Sequence, residues 1–426
     1  MNWRNTSLRA VAEVALGRQR SPQHENGSHI VPYLRAANIK DGALDLSDVL
    51  EMNFTPKEQD TFALRPGDVL LTEGSGSRSV VGASAVWRGE IGSTVCFQNT
   101  LLRLRARPEV IDGRFLAWWA QAARDSGTFA SIAEGANIYH LSAEKVRQLP
   151  LRLPPLGMQR RIAEFLNVET SRLGESWHAL IQLRALLLER RAAAVHAFVS
   201  GAHSSGEMVP SGLPWTSDIP KHWRVSRLGL LAQMGSGHTP SRSKPEWWRE
   251  RTIPWITTGE VSQLRDDRRE VLTETRELIS VVGMANSSAE LHPAGTVVLC
   301  RTASAGYSAI MGAAMATSQD FVTWTCGPRL NPYYLLWCLR AMRSDLLGRL
   351  AMGSTHKTIY VPDLQALKVP VPPLDEQSSI VARIQENNSS LDATVDAVSR
   401  QINLISERRK ALVMAGVNGQ LEMHAA

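Results

Sequence analysis

The chain has 426 residues, 43% hydrophobic and 21% charged, which excludes a disordered polymer and predicts at least two domains, since single cores stop growing near roughly 250 to 300 residues. Its net charge of +6 permits contact with a polyanion without establishing it. Four cysteines with no C-x-x-C pair, no run of about 18 apolar residues and no long apolar opening stretch argue against a zinc ribbon, a membrane span and a signal peptide, so the chain is assigned to the cytoplasm.

Residues 1–155 read as a first globular domain of mixed α+β type. Short β-rich runs such as GDVLL from Gly67 and STVCFQNTLLRL from Ser93 alternate with Gly/Ser loops, and one helix lies around Trp118, opened by Asp112 as its N-cap. Residues 156–200 read as a long helix. No proline occurs from Gln159 to Val199, and an apolar residue returns every seventh position at Leu166, Leu173, Leu180, Leu187 and Ala194, a seam that needs a partner helix.

The Gly/Ser/His-rich stretch 201–215 reads as a linker. Residues 216–372 form a second domain, with GTVVLC from Gly295 and a helix around Trp337 capped by Asn331, with Pro332 at the favoured first position. Residues 373–416 form the second long helix, with Ile384, Leu391, Val398, Ile405 and Leu412 in the same frame, and 417–426 are a tail. The positions three residues after each seam residue are mixed (Glu169, Ser176, Leu183; Asn387, Thr394, Gln401), which favours the two helices packing antiparallel on each other over a tight parallel zipper. Each would span about 40 residues, on the order of 60 Å. The alternative, each helix packed only on its own domain, calls for a wider apolar stripe.

The halves are copies. LPPLGMQRRIAEFL from Leu153 recurs as VPPLDEQSSIVARI from Val371, and the same offset carries Gln159 to Gln377, Ile162 to Ile380, Glu189-Arg190-Arg191 to Glu407-Arg408-Arg409 and Gly201 to Gly419. Upstream, Gly135 matches Gly353, Gly17 and Pro22 match Gly235 and Pro240, and Trp118 falls on Trp337 with the offset changed by one. The fold class is therefore α+β: a tandem duplication of a mixed α/β domain plus a long helix, the two helices packing antiparallel as a coiled-coil-like spacer.

No catalytic or metal-binding set emerges. NPYY from Asn331 has letters in common with an adenine-methyltransferase motif, yet its repeat counterpart Asp112-Gly113-Arg114-Phe115 points to helix capping. GSTHKT from Gly353 lacks the glycine before Lys357 that a phosphate-cradling loop requires. Asp363 and the pair Asp375-Glu376 lack the spaced lysine of a metal nuclease, and the eleven histidines are scattered. A self-contained methyltransferase or nuclease with unrecognised motifs, and a tandem-domain interaction scaffold without a DNA role, stay as alternatives.

The duplication, the two proline-led helix entries, GLPWTSDIPKHWRVSRLG from Gly212 and PGDVLLTEGSGS from Pro66 together resemble the specificity subunits of type I restriction-modification enzymes, over essentially the whole chain. The resemblance implies that each globular half is a target-recognition domain reading a few base pairs of double-stranded DNA in the major groove, with the helices as a ruler. Two methyltransferase subunits, bringing S-adenosylmethionine, would dock on the two halves, and restriction/translocase subunits would join through them. The chain itself would be a non-catalytic reader and scaffold, with no cofactor of its own and no membrane contact. Because residues 23–60 and 241–290 differ strongly, the two half-sites should differ, giving an asymmetric, gapped target.

Candidate DNA-binding residues come from loops that the repeat places in corresponding positions. In the first domain they are Arg35 and Asn38; Ser75, Ser77 and Arg78; Gln98 and Asn99; and Asn137, Tyr139 and His140. In the second they are Thr257 and Glu260; Arg301, Thr302, Ser304 and Tyr307; Gln319 with Asp320; and Thr355, His356 and Lys357. Amides suit adenine edges, arginine suits guanine, and Gly/Ser loops let backbone approach phosphate. Glu260 and Asp320 would accept from cytosine or orient their neighbours. Only eight of the 47 basic residues are lysine, so the positive charge is mostly guanidinium, although composition bias accounts for this equally well.

Overall fold

The computed structural model describes residues 3–21, 26–40, 42–78, 80–353 and 357–421. The chain forms two compact units, Met1–Gln182 with Ser399–Ala426, and Leu183–Val398. The unit boundaries fall inside the long helices, Leu156–Val199 and Leu374–Asn418, so each unit owns part of both.

In the first unit a four-stranded antiparallel sheet runs in the order Ala12–Leu16, Leu101–Ala106, Val69–Thr72, Ser84–Val86. All four residues of Val69–Thr72 are buried, as expected of a strand covered on both faces. A smaller sheet sets Ile30–Leu34 between Cys96–Phe97, parallel, and Leu50–Asn53, antiparallel. Strand Arg4–Ser7 pairs with Pro150–Leu153, which ties the start of the chain to the foot of the first long helix. Helix Gly113–Asp125 begins where Asp112 accepts from the amides of Arg114 and Phe115, and its Phe115, Leu116 and Ala120 join the core.

The second unit repeats this plan. Its main sheet runs Ala232–Ser236, Phe321–Cys326, Val297–Cys300, Ser308–Met311, with Val271–Leu272 added in parallel at the edge. Its smaller sheet sets Arg251–Ile256 between Glu277–Ser280 and Ala316–Thr317, and Arg224–Arg227 pairs with Lys368–Val371. Helix Pro332–Ala341 is capped by Asn331, whose side chain accepts from the Tyr333 amide. The stretch 201–215, read as a linker, holds the strand Met208–Leu213, which pairs antiparallel with Thr216–Pro220.

Segments of the two long helices pack on each other within each unit. In the first, a Cβ on Gly416 would stand 3.0 Å from Leu166, and Ile405 lines the same cavity as Leu173 and Trp177. In the second, Arg191 pairs with Asp392 at 3.1 Å and Arg383 stacks on Phe198 at 4.8 Å. Numbers rise along one helix as they fall along the other, so the packing is antiparallel.

Of the seam residues, Leu166, Ile384, Leu391 and Val398 are buried, while Leu173, Leu180, Leu187, Ala194, Ile405 and Leu412 are half-buried. The second row of the seam lies four residues on, not three: Val381, Asn388, Val395 and Ile402 are buried, whereas Asn387 is half-buried and Thr394 and Gln401 are exposed. Steps of three and four alternate in a 3.5-residue repeat, and the apolar anchors turn out to precede the longer step.

Candidate nucleic-acid interface

In the first unit the register of the main sheet brings several loops to one end. Leu101 pairs with Thr72 and Leu102 with Leu16, so the loops before Leu101, after Thr72 and after Leu16 emerge together. The Glu73 amide donates to the Thr100 carbonyl at 2.8 Å, and the Leu141 amide to the Glu73 carbonyl at 2.7 Å, which stitches three loops at this end. Gly17 passes so close to Gln98 that a Cβ would come within 2.2 Å of its carbonyl oxygen, so only glycine lets the chain through.

The structure brings most of the first-domain candidates together here. Ser75 pairs with Tyr139 and Gly74 with His140 across a two-stranded ladder. Arg78 is exposed, its Nε donating to the Ala130 carbonyl at 2.9 Å and its guanidinium lying 5.9 Å from the Tyr139 ring centre. Ser77 and Asn137 are exposed, and His140, also exposed, faces the Glu73 carboxylate at 3.1 Å. Gln98 and Asn99 are half-buried at the rim. Arg35 is ion-paired with the exposed carboxylate of Asp48.

Asn38 is different. It is 2% exposed, accepts from the Arg35 amide at 3.0 Å and donates to the carbonyls of Asp45 and Asp48 at 2.9 and 3.0 Å. Its counterpart Glu260 is fully buried and accepts from Gln263 at 2.5 Å and from the Arg276 amide at 2.8 Å. Both side chains are engaged inside the protein and organise the loop behind the rim instead of facing a base, and Thr257 is the N-cap position of the short helix Thr258–Gln263.

The second unit gathers its candidates at the equivalent sheet end. Cys300 pairs with Phe321 and Leu299 with Ser308, so loops 301–307 and 318–320 emerge together, and Thr302 bridges to Thr358 beside the exposed Lys357. Arg301 donates from Nε to the Gln319 carbonyl at 3.1 Å, and Thr239 donates to the Gln319 side chain at 2.6 Å. Ser304 is half-buried next to Ala303, whose φ of 60° makes the tip a tight turn. Asp320 accepts from Ser318 at 3.1 Å, and Tyr307 lies under the Arg343 guanidinium at 4.6 Å. Thr355 and His356 lie outside the described residues.

One basic and aromatic surface escaped the sequence reading. Arg242 stacks on Trp248 at 4.2 Å, with Lys244, Arg249 and Arg251 exposed around it. The interleaved string SRSKPEWWRER was the available signal. Burial pushes the thiols of Cys96, Cys326 and Cys338 up to about 12 and that of Cys300 to about 11, so none is poised as a nucleophile. Among the described residues no group of three or more His, Cys, Asp or Glu side chains is placed to hold a metal, and no helix is long and apolar enough to cross a membrane.

Residues 220–405 match the family model of the type I restriction modification DNA specificity domain. The type I restriction enzyme EcoKI specificity subunit of Escherichia coli strain K12 is 22% identical over 388 residues, covering 88% of this chain and 78% of that protein. The StySPI specificity subunit of Salmonella potsdam is 23% identical over 403 residues, covering 90% and 80%. A chain solved in work on complex assembly and conformational transition of the type I R-M system superposes with a TM-score of 0.73 at 18% identity, over 98% of both chains. The HsdS subunit from Thermoanaerobacter tengcongensis gives 0.55 at 19% identity, over 98% and 97%. At these identities the two structures speak for the fold.

Proposed function

We propose that the chain is a specificity subunit of a type I restriction-modification system, like the proteins it resembles, and that it reads a split DNA address on behalf of catalysts carried by other polypeptides. It is a DNA-recognition subunit and not itself an enzyme. One observation carries the reading furthest: the same strand register builds a loop cluster at the same sheet end in both units, but with different side chains. Two like frames with unlike tips suit two unlike half-sites.

Recognition domains are assigned to 1–155 and 216–372 and spacer helices to 156–200 and 373–416. The base-facing set is drawn from Ser77, Arg78, Asn137 and His140 in the first domain and Arg301, Thr302, Gln319 and Lys357 in the second, all exposed or half-exposed at the sheet ends. The Arg242 and Trp248 surface joins the second set as a backbone contact. Two methyltransferase subunits would supply S-adenosylmethionine and the chemistry, restriction/translocase subunits would assemble through them, and the complex would act in the cytoplasm.

The reading is tested by co-expressing the chain with its methyltransferase subunit in a methylation-free host and sequencing modified adenines. The expected result is one asymmetric two-part motif with a fixed gap. A contiguous or palindromic motif, or methylation that does not depend on this chain, overturns it.

A further inference from the structure

The residue after strand Val69–Thr72 and the residue after strand Val297–Cys300 are held by the same two backbone bonds. The Glu73 amide donates to the Thr100 carbonyl at 2.8 Å, and the Glu73 carbonyl accepts from the Leu141 amide at 2.7 Å. The Arg301 amide donates to the Asp320 carbonyl at 2.8 Å, and the Arg301 carbonyl accepts from the Ile359 amide at 2.8 Å. The two frames thus carry an acid and a base at one and the same position. Glu73 turns its carboxylate to His140, whose Nδ1 lies 3.2 and 3.1 Å from the two oxygens.

Arg301 is held differently. Among the described residues its half-buried side chain makes one hydrogen bond, from Nε to the Gln319 carbonyl at 3.1 Å, and no ion pair. The acid beside it, Asp320, accepts from the Ser318 hydroxyl at 3.1 Å instead. Of the other cations at this end, Arg343 is committed to Asp267 at 2.6 and 2.7 Å, and Lys357 is exposed. The loop that holds Arg301 is braced from behind. The Thr239 hydroxyl donates to Gln319 Oε1 at 2.6 Å, and the His238 amide donates to the Thr317 carbonyl at 3.0 Å. A Cβ on Gly237 would stand 2.1 Å from that carbonyl oxygen, so the bracing segment passes only because a glycine is there.

A guanidinium pinned through Nε keeps its two terminal nitrogens as a pair of parallel donors, the pattern that fits guanine O6 and N7. Adenine sets a donor beside its N7, and thymine offers one acceptor, so neither matches two donors. Gln319, with Oε1 taken by Thr239, has only its amide hydrogens to offer and lacks the acceptor that a bidentate adenine contact needs. In the first unit a carboxylate stands at this position and brings no donor. We propose that Arg301 reads a guanine in the major groove of the second half-site, with Gln319 and Thr239 as its positioning residues. The proposal rests on the DNA-reading role proposed above and names the base that one side chain of that surface selects.

The full chain is assembled with its methyltransferase subunit, and its motif is read by sequencing modified adenines. Binding is then measured to a duplex carrying that motif and to duplexes in which each guanine of the motif in turn is replaced by 7-deazaguanine, which lacks the N7 acceptor. The expected result is that one replacement, in one half-site, weakens binding about tenfold with the unaltered chain and has no effect with Arg301→Gln. Thr239→Val should shrink that penalty and Thr239→Ser should restore it, a response that a loss of stability alone does not produce. A contiguous motif overturns this proposal together with the DNA-reading role. A split motif in which no replacement is felt through Arg301, or an Arg301→Gln protein that binds all the duplexes equally weakly with a lower salt slope, overturns guanine reading and leaves that role standing. A penalty untouched by Thr239→Val removes Thr239 from the positioning set.

Discussion

The side-chain Oε1 of Gln159 accepts the backbone N–H of Asp112 at 2.8 Å, and Gln377 repeats the bond to Asn331 at the same 2.8 Å. Each glutamine also donates from Nε2 to two carbonyls, Val110 and Pro154 in one copy and Arg329 and Pro372 in the other, at 2.8 to 3.1 Å. With 1% and 0% exposure, these side chains lock the N-cap residue of a domain helix to the first turn of a long helix.

Gln159→Leu should therefore destabilise the first unit by about 2 to 4 kcal/mol, because three backbone groups, one buried and two part-buried, lose their partner together. Gln159→Glu keeps the acceptor for Asp112 and loses both donors, so it should be no milder. Hydrogen exchange across a urea series is the measurement, since it follows each unit separately where a single global transition is not assured. The expected outcome is a lower opening free energy in residues 1–182 with residues 183–398 unchanged; Gln377→Leu should do the reverse.

Arg78 and Asn38 should respond oppositely to alanine. Arg78→Ala should weaken DNA binding by about 1 to 3 kcal/mol and relax the preference at one position if the guanidinium reaches a base, or lower the salt slope by about one with the motif unchanged if it reaches phosphate. Asn38→Ala should leave the motif intact and cost about 1 to 3 kcal/mol of stability, as three internal hydrogen bonds are lost. Competition binding at several salt concentrations, with thermal unfolding alongside, separates the cases. An Arg78→Ala protein with unaltered affinity, motif and slope takes that residue off the interface.

Architecture was more legible than the reading surface. The duplication, the helix caps at Asp112 and Asn331 and the two long helices stand in the sequence because each rests on local pattern: an offset, an N-cap, a seven-residue period. Strand partners do not. Ala12–Leu16 pairs with Leu101–Ala106 across most of a domain, and that pairing together with Leu101–Ala106 on Val69–Thr72 puts the loops at one end. Asn38 shows why: an amide before a strand reads alike whether it faces solvent or its own loop; burial decides, and burial is a tertiary property. The second seam row was displaced because an anchor fixes a face without saying which neighbour shares it.

A pH effect follows from His292. The ring is 6% exposed and burial pushes its pKa below the usual value near 6.5, although the Ser236 carbonyl and Glu290 pull the other way. Folding thus favours the neutral ring, while the unfolded chain takes up a proton near 6.5. Its stabilising contribution is present above that pH and is lost as pH falls through the lower folded value. The opening free energy of the second unit should decline below pH 6.5, and His292→Gln should flatten that part of the profile. A wild-type profile that matches the variant would show the ring is not held neutral.

As a spacer, the two long helices should set the gap between the half-sites. Both pass from one unit into the other, and a seven-residue deletion preserves the phase of a 3.5-residue seam. Removing one such step from each helix, around Gln182 in the first and Val398 in the second, shortens each by roughly 10 Å at 1.5 Å per residue, the rise of about three base pairs. The modified motif should keep both half-sites and lose about three positions from its gap, as read by sequencing methylated adenines. Deleting the step from one helix alone should abolish methylation, because the helices can then no longer keep both the Leu166–Gly416 contact of the first unit and the Arg191–Asp392 pair of the second, at 3.1 Å, in one register. If the matched deletion methylates DNA with the original gap, the helices do not set the spacing, and flexibility elsewhere in the complex must.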